Sequence, residues 1–548
     1  MRNEPGQVTL IPPFADWGGG PDPVSSGREE GSQNLASRLI GPYASGLVPS
    51  DHRHMEAGLT TPGPIRVPHA QARKGGASRQ QARALFAEVL FVCLGLALAF
   101  PFMLVAAGGA SAVRLIFPAY ALGITLWLMS SKRYLMPVFI VAVFAFVSFL
   151  RRVADYHAGF VAFNPILLSP YIALLPTLGA LGRRVLGQKP GLIWPFTAIC
   201  ICVAYGIYAA LLSGIITEAL FEPLRWILPI ALCVFIMEKP DEVEQIRRAL
   251  NMALMVIIPV LAIYGVEQYL NPPLWDVLWM QNVDLPMFGM PVAYQVRVFS
   301  MMNSPMSNGV FVVSGMILLA GEGLLSLLIA AAGLPMLALT LDREAWVQCA
   351  IGLVSLFLQA PASRKMTLLF GIVMIGIGAA SFASSTLFTP EIRNQLEQRF
   401  STFSSLGTDT SADDRLNTYG SFFRRLAESP LGEGFGANGS MAATANKRES
   451  IPLDSAILES GITFGVPMGT VYFLAMGTLV LNGFKAWRAT AGRLSACIAL
   501  VVSIVCTSPL GINQIGEASI LTWASLGILF GSAMGRAPSR MVALARKR

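Results

Sequence analysis

Long apolar runs separated by short polar islands organise the chain from about residue 85 to 536. Runs at 84–108, 191–213, 366–387 and 518–535 have about 17–22 residues or slightly more, the length a helix needs to cross a hydrocarbon core of roughly 30 Å. Inside a bilayer every backbone N–H and C=O must find its partner within the protein, so runs of this kind are helices. A membrane β-barrel would instead show short alternating segments. Helices are expected near 85–107, 112–130, 134–150, 160–181, 191–213, 223–237, 250–268, 307–320, 324–341, 345–360, 366–387, 462–483, 494–511 and 517–536. The expected fold class is an all-α polytopic membrane protein with about fourteen transmembrane helices (roughly 12–14).

Lys and Arg collect on the cytoplasmic side of membrane proteins. With the N-terminal tail inside, the loops Ser131-Lys-Arg133, 182–189, 238–248, 363–365 and 485–493 and the tail 536–548 fall inside, and all carry Lys or Arg. The turn 321–323 falls inside without a basic residue. The opposite side receives 108–111, 214–222, 269–306, 342–344, 388–461 and 512–516. Arg151-Arg152 fall outside and break the rule. Both termini are therefore expected in the cytoplasm, and the loops 269–306 and 388–461 in the periplasm. The domain order reads 1–84 as a disordered cytoplasmic tail and 85–237 as N-terminal membrane helices. Residues 238–387 are helices carrying the loop 269–306, 388–461 is a large catalytic loop with short helices, and 462–548 holds the last helices and a basic tail.

Composition agrees. Of 548 residues, 54 % are hydrophobic and 13 % charged, against roughly 25 % charged in soluble proteins. The net charge of +8 sits in the inside loops, and no basic patch interleaves with aromatics, so no nucleic-acid partner is expected. The seven cysteines lie in apolar runs and read as small apolar side chains. Residues 1–80 are rich in Gly, Pro and Ser with no apolar run near the start, so no cleavable signal is expected and too little is left to bury. Three of the four histidines lie in that tail, and His157 is the other. No metal and no cofactor is expected.

Candidate chemistry lies in the outside segments. Arg297 precedes the helix at 307, Arg343 sits in a short outside turn, and Arg415 sits in 409–419 with Tyr419 close behind. Arginine near an outer interface is either functional or locally paired. Its rigid fork of donors matches phosphate oxygens. Glycines 432, 434 and 436 follow Pro430 and allow turns with positive φ; without a βαβ context they make a weak phosphate signal. Asp454 is placed to cap the next helix, or to act as general base toward a sugar hydroxyl, with Glu433 and Glu459 as lesser candidates. Gly461, Gly465 and Gly469 share one face of that helix, a pattern that allows close packing.

These segments together resemble the O-antigen ligase and polymerase superfamily, membrane glycosyltransferases acting on undecaprenyl-diphosphate-linked glycans. The similarity runs over about residues 240–535. It is carried by Arg297-Val-Phe-Ser-Met-Met-Asn303-Ser-Pro305, by Thr340-Leu-Asp-Arg343, by Ser411-Ala-Asp-Asp-Arg415, and most specifically by Pro430-Leu-Gly-Glu-Gly-Phe-Gly436. Asp454-Ser455 stands where the ligase branch carries a His, and Gly465 follows at the family's spacing.

The resemblance implies a metal-independent polymerase of O-antigen or exopolysaccharide in the bacterial inner membrane. Glycan would pass from undecaprenyl diphosphate to a sugar hydroxyl of another lipid-linked unit on the periplasmic face. Asp454 and Arg415 would be catalytic. Arg297, Arg343, Arg415, Tyr419, Gly432, Gly434 and Gly436 would bind substrate. Partners would be the lipid-linked donor and acceptor, the bilayer, and a chain-length regulator or flippase. The rival enzyme is an O-antigen ligase acting on lipid A core. A transporter of the same units would carry charges in the middle of several helices, and a non-enzymatic assembly subunit would use its loop charges as an interface.

Overall fold

The computed structural model describes residues 71–187, 193–283, 285–383, 394, 410–437, 455–511 and 516–545. The chain divides into two units, 1–69 and 70–548. All described residues belong to the second unit, and their regular elements are all helices. Seven helical segments among the described residues are long and apolar enough to cross a membrane: Gln80–Ser131, Arg133–Ala158, Pro165–Leu186, Ile193–Leu212, Ala219–Met237, Val243–Leu270 and Ala456–Ala489. Shorter apolar helices occupy Pro305–Ala320, Leu324–Leu339, Ser495–Thr507 and Ile520–Gly535.

The helices are named α1 (Gln71–Leu90, continued by helical turns to Gly109), α2 (Ala110–Ser131), α3 (Met136–Ala158), α4 (Ser169–Leu174), α5 (Leu178–Leu186), α6 (Ile193–Leu212), α7 (Ile216–Met237), α8 (Val243–Leu270) and α9 (Leu274–Val283). Next come α10 (Pro305–Ala320), α11 (Leu324–Ala331), α12 (Gly333–Leu339), α13 (Arg343–Gln359), α14 (Ala362–Ala383), α15 (Thr410–Glu428), α16 (Ala456–Ala489), α17 (Ser495–Thr507) and α18 (Ile520–Ala545). A helix stands at each of the fourteen expected positions.

Gln80–Ser131 is 52 residues long, about 78 Å if straight. It instead doubles back at Gly108, whose φ of 88° interrupts the helix. The Tyr120 hydroxyl then donates to Leu96 O on the opposite limb at 3.0 Å. The turn falls in the expected 108–111 connection. Helix α3 is the inner helix, with every residue from Met136 to Asp155 buried. Its unbroken apolar run fits that place, because a helix apolar all round needs cover all round.

The polar connections form two separate contact sets. One joins the loops expected inside. Lys132 pairs with Glu88 at 2.5 Å, Arg133 and Arg183 reach Glu238, Arg247 pairs with Glu244 and Glu322, and Arg364 donates to Gly321 O at 2.7 Å. The other joins the connections expected outside and holds the candidate site.

Three expectations change, and the loop 269–306 gains detail. Helix α1 starts at Gln71, inside the stretch read as a disordered tail. The loop 269–306 is structured, with α9 and a small core of Trp279, Met280, Phe288, Val296 and Phe299. Arg151 and Arg152 do not lie in a loop: α3 continues through them and both are buried. Helix α16 is broken at Gly465 (φ 67°, ψ −170°), so Gly461, Gly465 and Gly469 do not share one continuous face.

Candidate functional site

The second contact set centres on the turn that opens α13. Arg297 donates through Nε to Thr340 O and through Nη2 to Leu341 O, each at 3.3 Å. It braces a turn in which Leu341 has φ 53°. Asp342 caps α13 by accepting from Glu344 N at 3.2 Å, and Arg343 is the first residue of that helix. Arg297 and Arg343, distant in sequence, thus stand at one turn. Asp342 serves as the helix cap, a role its short carboxylate fills well.

Residues 507–511 link this turn to the neighbouring elements. The Glu344 carboxylate lies against Gly511, where any Cβ would overlap it. Ala456 N donates to Gly511 O at 3.1 Å, and Ser455 Oγ donates to Ser508 O at 3.3 Å, which fixes the start of α16. The Tyr419 hydroxyl on α15 donates to Pro509 O at 3.2 Å. Phe422 on the same helix packs with Leu458 and Ile462 of α16. Arg415 belongs to α15, although its side chain and Asp454 lie outside the described residues. Ser455 is the residue at the N-cap of α16 and makes no side-chain cap bond.

The glycine-rich turn is bound into the helices. Gly432, Gly434 and Gly436 have φ of 82°, 85° and 78°, the left-handed geometry that glycine adopts without steric cost. Gly432 faces the break at Gly465 so closely that a Cβ on either would overlap the other's backbone, and Gly434 sits against the backbone of Ala210. Glu433 N and Gly434 N donate to Ile462 O and Thr463 O, Phe435 N to Gly206 O, and Gly432 N to Ser429 O. Amides engaged in this way are not available to cradle a phosphate. Arg425 of α15 grips Glu433 with two bonds of 2.9 and 2.8 Å and also donates to Ala437 O. The Glu433 carboxylate therefore serves as an anchor.

A cavity of about 240 Å³ opens between α3, α4, α7, the segment before α10 and the start of α18. Phe144, Val147, Leu167, Leu168, Pro170 and Met302 form its apolar wall, and Ser148, Tyr171, Arg225, Asn303 and Glu517 its polar side. Arg225 pairs with Glu222 at 3.0 Å. Glu517 accepts from Ser307 Oγ at 3.0 Å and from the Tyr171 hydroxyl at 3.4 Å. Gly516, with φ 63°, makes the tight turn that presents it. Glu459, on the first turn of α16, stands within electrostatic reach of Arg225 and Glu222, and its Oε2 is buried with no hydrogen-bond partner among the described residues.

Behind this site lies a fully buried clamp. Arg152 donates to Asp276 at 2.6 Å, to Met302 O at 2.7 Å and to Ser300 O. Asp276 also accepts from Tyr264 at 2.8 Å and from Gln268 at 2.6 Å. Gln268 returns its carbonyl to Phe299 N and Ser300 N. The clamp sets the path of residues 299–302, immediately before Asn303.

The structure thus places Arg297 and Arg343 at one turn and ties the helix bearing Arg415 beside it through Tyr419, while the glycine turn packs against α6 and α16. Sequence reasoning missed Arg225 and Glu517. The available signal was a charged residue at the mouth of an apolar run, rare enough in membrane helices to point to function. The site and fold define a helical protein of membrane type with a polar centre at one end of its bundle. A comparison of the chain with protein-family models and with curated proteins finds no match.

Proposed function

We propose that this protein is a polysaccharide polymerase of the bacterial inner membrane, crossing it fourteen times with both termini in the cytoplasm and the polar centre facing the periplasm. It transfers a glycan from undecaprenyl diphosphate to a sugar hydroxyl of a second lipid-linked unit. The supporting observation is the meeting of Arg297 and Arg343 at a single turn, with α15 tied beside it through Tyr419. Positive charge gathered at a helix end, next to a structured loop, suits a diphosphate leaving group.

In this reading the bond between the anomeric carbon and the diphosphate oxygen breaks, and the acceptor oxygen forms the new glycosidic bond. Arg297, Arg343 and Arg415 stabilise the negative charge that grows on the departing lipid diphosphate, a fixed electrostatic contribution needing no rearrangement. Asp454 takes the proton from the acceptor hydroxyl. The lipid diphosphate leaves as the second product.

The test is direct. Purified protein in lipid nanodiscs is supplied with lipid-linked repeat units, and product length is read on a gel. Polymer from wild type, with only single units from Arg415→Ala and from Arg415→Lys, supports the assignment. Wild-type chain lengths in both variants remove Arg415 from the mechanism, and no joining by active, folded wild type removes the polymerase.

A further inference from the structure

The cavity beside Arg225 has a charge pattern unlike that expected for a diphosphate. Among the described residues its one guanidinium is paired with Glu222 and lies within reach of Glu517 and Glu459 as well. One cation among three carboxyl groups, counted over the described residues, is a balance that disfavours a pyrophosphate. A free ammonium fares no better, since the guanidinium stands at the middle of the group. Arg225 keeps 40 % of its side chain accessible and lines the cavity.

Hydroxyl groups fit where ions of either sign do not, because each both donates and accepts. The polar side of the cavity alternates these functions: Arg225 donates, Glu517 accepts, and Tyr171, Asn303 and Ser148 do both. The opposite wall is apolar and includes Phe144, which meets Tyr171 edge to face at 5.4 Å. A sugar ring has this same division, with hydroxyls around its edge and C–H groups on its faces.

We propose that this cavity binds a neutral, hydroxyl-rich sugar ring: within the polymerase reading, the terminal sugar of the acceptor. Donor and acceptor sites are then separated by charge. The diphosphate is held at the Arg297–Arg343 turn, and the uncharged acceptor among the carboxylates around Arg225.

Saturation-transfer NMR on the full-length protein in detergent micelles tests this, with glucose, galactose, mannose and rhamnose as neutral probes and with glucosamine and inorganic pyrophosphate as charged ones. At least one neutral sugar receives saturation from wild type, and pyrophosphate does not displace it. Glu517→Gln and Asn303→Ala each weaken that binding by about tenfold or more, the effect of removing a hydrogen bond to a charged or buried partner. If Glu517→Gln fails to fold, Asn303→Ala alone decides. The proposal is overturned if none of the four sugars is saturated, if folded variants bind like wild type, if only glucosamine binds, or if pyrophosphate displaces the sugar. Binding of free sugars needs no lipid carrier. Sugar binding without joining of lipid-linked units therefore rejects the polymerase and keeps the pocket, while joining without sugar binding does the reverse.

Discussion

Arg152 of α3 and Asp276 of α9 form an ion pair of 2.6 Å with side chains 1 % and 0 % exposed. Breaking such a pair leaves one buried charge without its partner, at a cost of about 3–5 kcal/mol. Arg152→Met or Asp276→Leu is therefore expected to lower the unfolding temperature markedly in detergent. The double variant is expected to recover a large part of that loss, because neither charge is then left alone. Equal losses from the double variant and the sum of the singles would show that the two residues are not energetically coupled.

Two glycines with similar backbone angles separate conformational strain from steric overlap. Gly108 has φ 88° and open space around its Cβ position, whereas Gly434 has φ 85° and sits against the Ala210 backbone. Gly108→Ala is expected to cost about 1–2 kcal/mol, the penalty for a left-handed residue. Gly434→Ala adds a backbone clash and is expected to cost distinctly more. Thermal unfolding of both variants, side by side, checks the order.

Arg425 holds Glu433 through two parallel bonds, a geometry that lysine cannot reproduce. Arg425→Lys and Arg425→Ala are both expected to speed amide hydrogen exchange at 430–437, the alanine variant more so. Exchange at Met136–Asp155 is expected to stay slow in both. Unchanged exchange across the turn would show that the helix contacts hold it without Arg425.

The two polar contact sets make a topological prediction. With native Cys506, which is exposed, replaced by Ala, Ser130→Cys and Met290→Cys, the latter at a 60 % exposed position, are expected to react with membrane-impermeant maleimide from opposite faces. Intact cells give access from the periplasm to position 290 only, and inverted vesicles to position 130 only. Labelling of both from one face would reject the fourteen-crossing arrangement.

The helix positions were legible because an apolar run of spanning length has one structural outcome in lipid, and composition alone reveals it. The turn chemistry of Gly432, Gly434 and Gly436 was legible for a similar reason, since glycines after Pro430 end a helix. Partnerships across the fold were not. Arg151-Arg152 read as a violation of charge asymmetry because the acceptor of Arg152 lies 124 residues further along, where no local pattern identifies it. Arg225 and Glu517 lie far apart in the chain, and only the fold gathers them around one cavity. The break at Gly465 was also hidden: three glycines spaced by four suggest a smooth face, and only the approach of Gly432 shows why the central one leaves the helix.

The 124-residue gap between Arg152 and Asp276 also orders events during synthesis. At typical ribosomal speeds the aspartate appears roughly 6–25 s after the arginine. For that interval nascent α3 carries a cation whose permanent acceptor does not yet exist. The helix that ends as the most enclosed element of the bundle therefore gains this partner only after the Asp276 segment has been made, so completion of the buried clamp is a late step in biogenesis.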